Sequence, residues 1–200
     1  MLHRATLGTC FVVVSAGVVS HARADEDLRG PRGFFVGAGP GFVIGRSVDA
    51  DGRDTPSYFG SGGWFRFGEE VLEDFTLGLE IGGVGGTGED FAAGIGGFVL
   101  QGTWRPSFAG EGLVLLLGTG VGGGSLTPDD PDDDAQPEGS GGGALFELGA
   151  HWELDLFGRD DEGFVFGPAL HAYLAPETAD NPVRFTVFTV GLESAWYFGR

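Results

Sequence analysis

Hydrophobic and polar residues alternate along residues 144–157, ALFELGAHWELDLF. The apolar side chains occupy the even positions, and Glu147, His151 and Glu153 fall on the odd ones. Because successive side chains of a strand point to opposite faces, this pattern predicts a strand with one apolar and one acidic face. The stretch is well above the usual strand length of roughly 5–6 residues. A strand of this kind suits a wall between hydrocarbon and a polar interior.

The same period of two recurs along the chain and predicts eight strands: 33–45, 58–68, 71–85, 91–104, 112–123, 144–157, 163–175 and 183–198. In the fourth strand, frequent glycines leave the assignment of the two faces open. In the eighth, Phe185 and Val187 are out of phase with the apolar positions that follow, which predicts a bulge. A long helix is disfavoured, because each interior glycine costs about 1 kcal/mol relative to alanine.

The predicted connections alternate in length and polarity. Those after the first, third, fifth and seventh strands are 46–57, 86–90, 124–141 and 176–182, and the others are 69–70, 105–111 and 158–162. The first set contains the two longest and most polar segments. Membrane barrels have long outer loops and short periplasmic turns, so this alternation favours a barrel that crosses a membrane.

Aromatic residues are concentrated at the strand ends that the short connections join. Such rings favour a membrane–water boundary and predict an aromatic girdle. The predicted girdle residues are Phe34, Phe65, Phe67, Phe75, Trp104, Phe157, Phe164, Trp196 and Phe198.

The first 24 residues have the composition of a cleaved secretory signal peptide. A basic start is followed by an apolar run over 7–19 and by Ala22-Arg23-Ala24, which has the pattern of a signal-peptidase cleavage site. A polar lead over 25–32 follows. Cys10, the one cysteine, lies in the signal, so the mature chain offers no disulfide or thiolate chemistry. The net charge of −18, with no lysine, excludes nucleic acid as a partner.

The pattern over 33–198 resembles the small eight-stranded outer-membrane β-barrel proteins of Gram-negative bacteria. The final strand carries alternating Val190, Leu192, Trp196 and Phe198, which resembles the signal that the outer-membrane assembly machinery reads. The resemblance implies an all-β fold, a closed eight-stranded antiparallel up-and-down transmembrane barrel. It also implies a bacterial outer-membrane location, contact with outer-membrane lipids and lipopolysaccharide, and assembly through the C-terminal strand; we expect a monomer.

Eight strands enclose an interior filled by side chains, and buried charges there must be paired or neutralised. We expect an interior polar network in which Arg66 pairs with carboxylates. Its predicted members are Arg66, Glu80, Glu147, His151, Glu153, His171, Tyr173 and Glu193.

The segment 124–141 is predicted to be an acidic extracellular loop. One interpretation is a solvated loop, because its like charges repel each other. The other is a loop that binds divalent cations weakly through carboxylate oxygens, those of Asp129, Asp130, Asp132, Asp133 and Asp134. No other cofactor is expected. The Asp49–Asp54 segment lacks the later glutamate of a calcium loop and is predicted to be a turn.

We therefore predict a non-enzymatic integral outer-membrane barrel with acidic surface loops and an envelope-structural or surface-interaction role, with no catalytic residues. One alternative is an outer-membrane hydrolase or acyltransferase that modifies lipid, including lipid A. It requires a serine beside a histidine on the lipid face. The other is a soluble, secreted, lipocalin-like ligand-binding barrel, which requires an apolar interior and a polar exterior.

Overall fold

The computed structural model describes residues 33–72, 74–109, 112–133, 135–159, 162–176 and 183–198. The predicted signal peptide and polar lead lie outside these residues, as does Asp134. The strands are β1 Phe34–Val48, β2 Tyr58–Leu72, β3 Phe75–Thr87, β4 Phe91–Trp104, β5 Leu113–Pro128, β6 Gly139–Trp152, β7 Leu154–Arg159, β8 Glu162–Ala175 and β9 Arg184–Phe198. One turn of 3-10 helix, Ser107–Ala109, follows β4.

All strand pairs are antiparallel, and the sheet closes on itself. Neighbours in sequence pair from β1 to β6, β9 pairs with both β8 and β1, and β6 and β7 both pair with β8. The segments β6 and β7 therefore occupy one position in the strand order, as a single interrupted strand. The barrel has eight strand positions around its circumference. The predicted closed, eight-stranded, up-and-down antiparallel barrel is confirmed. Within the described residues, no helix is both long and apolar enough to cross a membrane.

The sixth predicted strand begins earlier than expected and breaks at Glu153. There the backbone N–H of Glu153 leaves the ladder and donates to the carbonyl of Gly112, at 2.7 Å. At the same break the Trp152 carbonyl lies against Gly167, where a Cβ would come within 1.5 Å of the oxygen. Glycine at position 167 is thus what allows the two segments to approach so closely.

Several predictions about the strands are wrong. The connection predicted at 69–70 is part of β2, which continues to Leu72, and β3 begins at Phe75 instead of residue 71. The segment 124–141 is not all loop, because β5 continues to Pro128 and β6 begins at Gly139, with glycines paired across the two strands. The connection proper is 129–138. The bulge predicted in the last strand is also absent, since β9 keeps one register against β1 and β8 throughout. Phe185 and Val187 are out of phase because they point inward.

The outer surface of the barrel is apolar on every side. Phe42 is 78% exposed, Leu117 68% and Leu148 61%. Other outward apolar side chains come from each remaining position around the barrel: Phe59, Ile81, Phe98, Leu100, Leu170, Leu174, Phe188 and Val190. We call this surface the apolar band.

The interior has two halves with different contents. We call the half nearest the loops the apolar half. It is filled by buried apolar side chains, with Tyr173 at its boundary with the other half: Val43, Tyr58, Val84, Phe91, Ala93, Ile95, Val99, Leu126, Leu145, Tyr173, Ala175, Val183, Phe185 and Val187. Toward the end where β1 begins and β9 ends lie buried polar and charged side chains, which we call the polar belt. The interior is therefore packed with side chains, as the eight-strand count predicts.

Candidate functional site

All eight residues of the predicted interior network point into the barrel and are buried. They come from strands on all sides of the barrel, yet hydrogen bonds and ion pairs bring them into one belt. The belt divides into a group centred on Arg66, a group centred on Glu147, and a basal group centred on Arg105.

Arg66, on β2, is only 2% exposed and reaches across the barrel. Its guanidinium makes an ion pair with Glu193 on β9 and donates to Nε2 of His151 at 3.1 Å. Nε2 of His151 also lies 3.3 Å from Glu153 Oε1, and its Nδ1 lies 3.4 Å from Glu193 Oε2. The guanidinium also lies over the ring of Phe35, 5.3 Å from its centroid. This group is a desolvated charge pair with a histidine linking its members.

The second group joins Glu147, Glu80 and His171. Nδ1 of His171 lies 2.6 Å from Glu147 Oε1, and the Tyr173 hydroxyl donates to Glu80 Oε1 at 2.8 Å. The amide of Gln101 donates to both carboxylates, at 3.2 Å to Glu80 and 3.0 Å to Glu147. Within the described residues, neither of these carboxylates contacts an arginine.

Potential ligand atoms of Glu80, Glu147 and His171 lie within 4.8 Å of one another, a spacing that could hold a metal ion. Their oxygens, however, already accept hydrogen bonds from Gln101 and Tyr173. The geometry is that of a hydrogen-bonded network around two facing carboxylates.

The basal group closes the barrel at the end where β1 begins and β9 ends. Arg105, in the connection after β4, donates through Nη2 to the Tyr197 hydroxyl at 2.6 Å and through Nε to Glu153 at 3.3 Å. Tyr197 itself donates to Glu153. Burial acts to lower the pKa of Arg105, but Tyr197 and Glu153 outweigh it, so its pKa lies above the ordinary value.

Sequence reasoning missed three residues whose side chains hydrogen bond to the predicted network. Gln101 lies on β4, whose two faces were left unassigned. Arg105 lies in a predicted turn and folds back beneath the barrel, which no periodicity indicates. Tyr197 shares the inward parity of Glu193 on β9, but parity alone does not indicate that its hydroxyl joins the network.

The nine predicted girdle residues all lie on the outer surface near the end of the barrel where β1 begins and β9 ends. Six of them are between 43% and 48% exposed, and Phe67, Phe75 and Phe164 are half-buried. Neighbouring rings meet: the centroids of Phe34 and Phe198 are 6.1 Å apart. Trp152 and Phe108 lie at the same end and were missed.

The aspartates in the described part of the acidic loop are exposed, and two of their carboxylates accept hydrogen bonds from backbone N–H groups of the same loop. Asp130 accepts from the N–H of Asp132 at 3.1 Å, and Asp133 accepts from the N–H of Ala135 at 3.0 Å. Among the described residues, the loop aspartates do not form a cluster with metal-ligand spacing. The cation-binding hypothesis thus gains no preformed site and stays a prediction.

The segment Asp49–Asp54 is a turn, as predicted. The Asp49 carboxylate accepts from the backbone N–H of Asp51 and Arg53, at 3.0 and 2.8 Å, and from Nε of Arg53 at 2.8 Å. Gly52 has φ +79°, which favours glycine. The hydrogen bonds of the Asp49 carboxylate are therefore satisfied within the turn.

Within the described residues, serine and histidine side chains are not brought together. His151 and His171 point into the interior, whereas Ser194 lies on the outside of β9 and donates to the carbonyl of Ala38 at 3.1 Å. Among the described residues, no serine hydroxyl bonds to either ring. The arrangement that a lipid-modifying hydrolase requires is therefore not present in this part of the chain.

Comparison with solved structures finds several small outer-membrane barrels. The N-terminal β-barrel domain of Pseudomonas aeruginosa OprF is 14% identical, covers 84% of this chain and 100% of its own, and gives a TM-score of 0.48. Neisserial surface protein A (NspA) is 12% identical over 82% and 97% of the two chains, also with a TM-score of 0.48. The outer membrane protein OprG from Pseudomonas aeruginosa is 12% identical over 88% and 100%, with a TM-score of 0.42.

These neighbours are of the group that the sequence resembles. No protein-family model and no curated protein matches the chain. The class of the molecule, a small closed eight-stranded β-barrel, is defined by its own strand pairing.

Proposed function

We propose that this protein is a non-enzymatic integral barrel of the bacterial outer membrane, exported by a cleaved signal peptide. The observation that carries the proposal is the apolar band. Contiguous exposed apolar patches on soluble monomers rarely exceed about 300–600 Å². Here all eight positions around the barrel present exposed apolar side chains, and only a solvent that surrounds the molecule can cover such a surface. Hydrocarbon is such a solvent.

Backbone closure supports the same conclusion. In lipid, every N–H and C=O must be paired internally, and a closed sheet achieves this without an edge strand. The strands of the barrel positions contain 13 to 16 residues, apart from the interrupted β6–β7 pair. A crossing needs about 9–11 residues. The soluble, lipocalin-like alternative is disfavoured because the exterior is apolar and the belt inside is charged.

We propose a specific orientation. The end with the predicted girdle, where β1 begins and β9 ends, faces the periplasm, and the connections after β1 and β5 face outward. The acidic loops would then contact ions or partners at the cell surface, and the barrel would contribute to envelope integrity. Recognition of the C-terminal strand by the assembly machinery belongs to the same proposal and is supported by the outward Trp196 and Phe198.

A non-enzymatic role is supported by the positions of the histidines. Both are engaged with buried carboxylates inside the barrel, where lipid has no access. Ser194 bonds to backbone on the opposite face of the sheet. The belt residues hydrogen bond to one another.

The proposal is tested by membrane fractionation and cysteine labelling in cells. Since Cys10 is the one cysteine and lies in the predicted signal, single cysteines report position without background. We expect the protein to stay in the outer-membrane pellet after sodium carbonate, and Asp132→Cys to react with an impermeant maleimide in intact cells. The matched variant Ser107→Cys, in the connection at the opposite end, should react only after permeabilisation. Release by carbonate would overturn the membrane assignment, and the reverse labelling pattern would overturn the orientation.

A further inference from the structure

Arginine side chains in this acidic protein are few, and most have a carboxylate partner. Of the five whose side chains are described, Arg66, Arg105 and Arg53 make ion pairs, with Glu193, Glu153 and Asp49. The remaining two, Arg46 and Arg184, are exposed and make no ion pair or side-chain hydrogen bond within the described part of the chain.

These two arginines are neighbours on the outside of the barrel. Arg46 is paired in register with Thr186, and Val48 is paired with Arg184, so the arginines are diagonal neighbours on one face of the β1–β9 pair. Diagonal positions lie about 7–8 Å apart, within reach of long side chains. Both guanidinium groups can therefore approach one ligand.

The arginines border a groove of about 370 Å³. Its wall also contains Ser57, Asp54, Ile44 and Phe188. Ile44 and Phe188 are directly paired, each is 50% exposed, and they belong to the apolar band. The groove thus has cationic groups at its loop end and an apolar floor at its membrane end, with a net charge of about +1 when Asp54 is counted.

We propose that this groove binds the phosphorylated headgroup of an outer-leaflet lipid. Arg46 and Arg184 contact the phosphate, and the first part of an acyl chain lies on Ile44 and Phe188. Guanidinium groups match phosphate through paired hydrogen bonds, and such charge-assisted bonds are the strong ones. The inference rests on the proposed membrane location, since it places the groove where the apolar band meets the headgroups of the outer leaflet.

A soluble anion is a weaker occupant than a lipid. The phosphate site is open to water and holds only two cations beside one carboxylate. A free phosphate therefore gains little, whereas a lipid adds the contact of its chain with the apolar floor. The acidic character of the rest of the chain makes nonspecific attraction of anions elsewhere weak.

The test measures lipid binding by the purified barrel in detergent, by native mass spectrometry. Diphosphorylated lipid A is compared with the same lipid after removal of its phosphates, and with inorganic phosphate. We expect Arg46→Gln and Arg184→Gln each to weaken binding of the phosphorylated lipid by about tenfold, and the double variant more. Arg53→Gln is the matched control, because that arginine lies at the same end but is already paired; we expect less than about a twofold change.

The variants are first checked for the heat-dependent electrophoretic shift of a folded barrel. Equal binding of the dephosphorylated lipid, or unchanged binding by the folded double variant, would overturn the proposal. Inorganic phosphate that competes at equal concentration would overturn the lipid as the occupant. Because the assay uses purified protein, its outcome is separate from carbonate extraction, so a failure of the membrane assignment and a failure of this site give different results.

Discussion

On the half of β4 nearest the loops, the inward positions carry Phe91, Ala93 and Ile95, whereas nearer its other end they carry Gln101 and Thr103. Strand β9 changes in the same way, from Phe185 to Glu193. The alternation of faces is identical in both halves. What differs is how the interior is stabilised: by apolar area and close packing in the apolar half, and by specific partners in the polar belt.

This difference predicts two kinds of response to substitution. In the apolar half, the cost should follow the volume removed, because nothing there depends on a particular partner. In the polar belt, the cost should follow which charge is left without its partner, and a second substitution should be able to restore stability.

The largest loss is expected from Arg66→Met. The variant keeps much of the side-chain volume but leaves Glu193 buried without its cation, which costs about 3–5 kcal/mol. The measurement is the free energy of unfolding in urea, in lipid vesicles. Adding Glu193→Gln should recover a substantial part of the loss. An additive double variant would show that the two residues are not coupled and that the belt is not a partnered network.

A loss of about 3–4 kcal/mol is expected from Phe185→Ala, because this ring is 1% exposed and packs against Gly124. The same urea titration measures it, with Phe185→Leu as the matched variant that removes less volume and costs less. Phe185 and Glu193 are eight residues apart on one strand, about 27 Å. Combining Phe185→Ala with Glu193→Gln should therefore be additive within about 0.5 kcal/mol. A larger coupling would mean that the two halves do not act separately.

A gain of about 1 kcal/mol is expected from Glu80→Gln. Glu80 faces Glu147 without an arginine in contact, and glutamine removes one of two close carboxylates. Glutamine keeps an acceptor for Tyr173 and loses the one for Gln101, whose amide still donates to Glu147. The matched variant Glu193→Gln removes the partner of Arg66 and should lose about 3 kcal/mol. The same chemical change should thus have opposite signs at two places in the belt. A loss at both would show that Glu80 needs its charge.

The sequence predicts the barrel and the inward set well, because both follow from a period of two. Arg66, Glu147, His151 and Glu193 could be placed inside by parity alone. What they contact could not, since pairing across the barrel depends on strand tilt and register, as in the bond from Arg66 to His151. Arg105 reaches the belt from a turn, and turns have no periodicity.

The apolar half was the part of the interior that alternation concealed. Where both faces of a strand are apolar, one toward lipid and one toward the core, the pattern becomes a continuous run. Residues 185–190 of β9 show this: Phe185 and Val187 point inward while Phe188 and Val190 point outward. The change of phase along this run therefore predicts a bulge, although the strand pairing keeps a regular register.

The smallest effect on stability is expected from the carboxylates outside the barrel, because they are exposed and are not part of either half of the interior. Asp130 and Asp133 are exposed and accept hydrogen bonds from their own loop, so a cation meets no converging ligands there. We expect calcium to bind with a dissociation constant near 1 mM and, at that concentration, to stabilise the fold by about 0.4 kcal/mol. Calorimetric titration at constant ionic strength measures this, and Asp130→Asn with Asp133→Asn should remove the signal. Micromolar binding, or a signal that persists in the double variant, would place the cation elsewhere, and the buried Glu80, Glu147 and His171 would be the next residues to substitute.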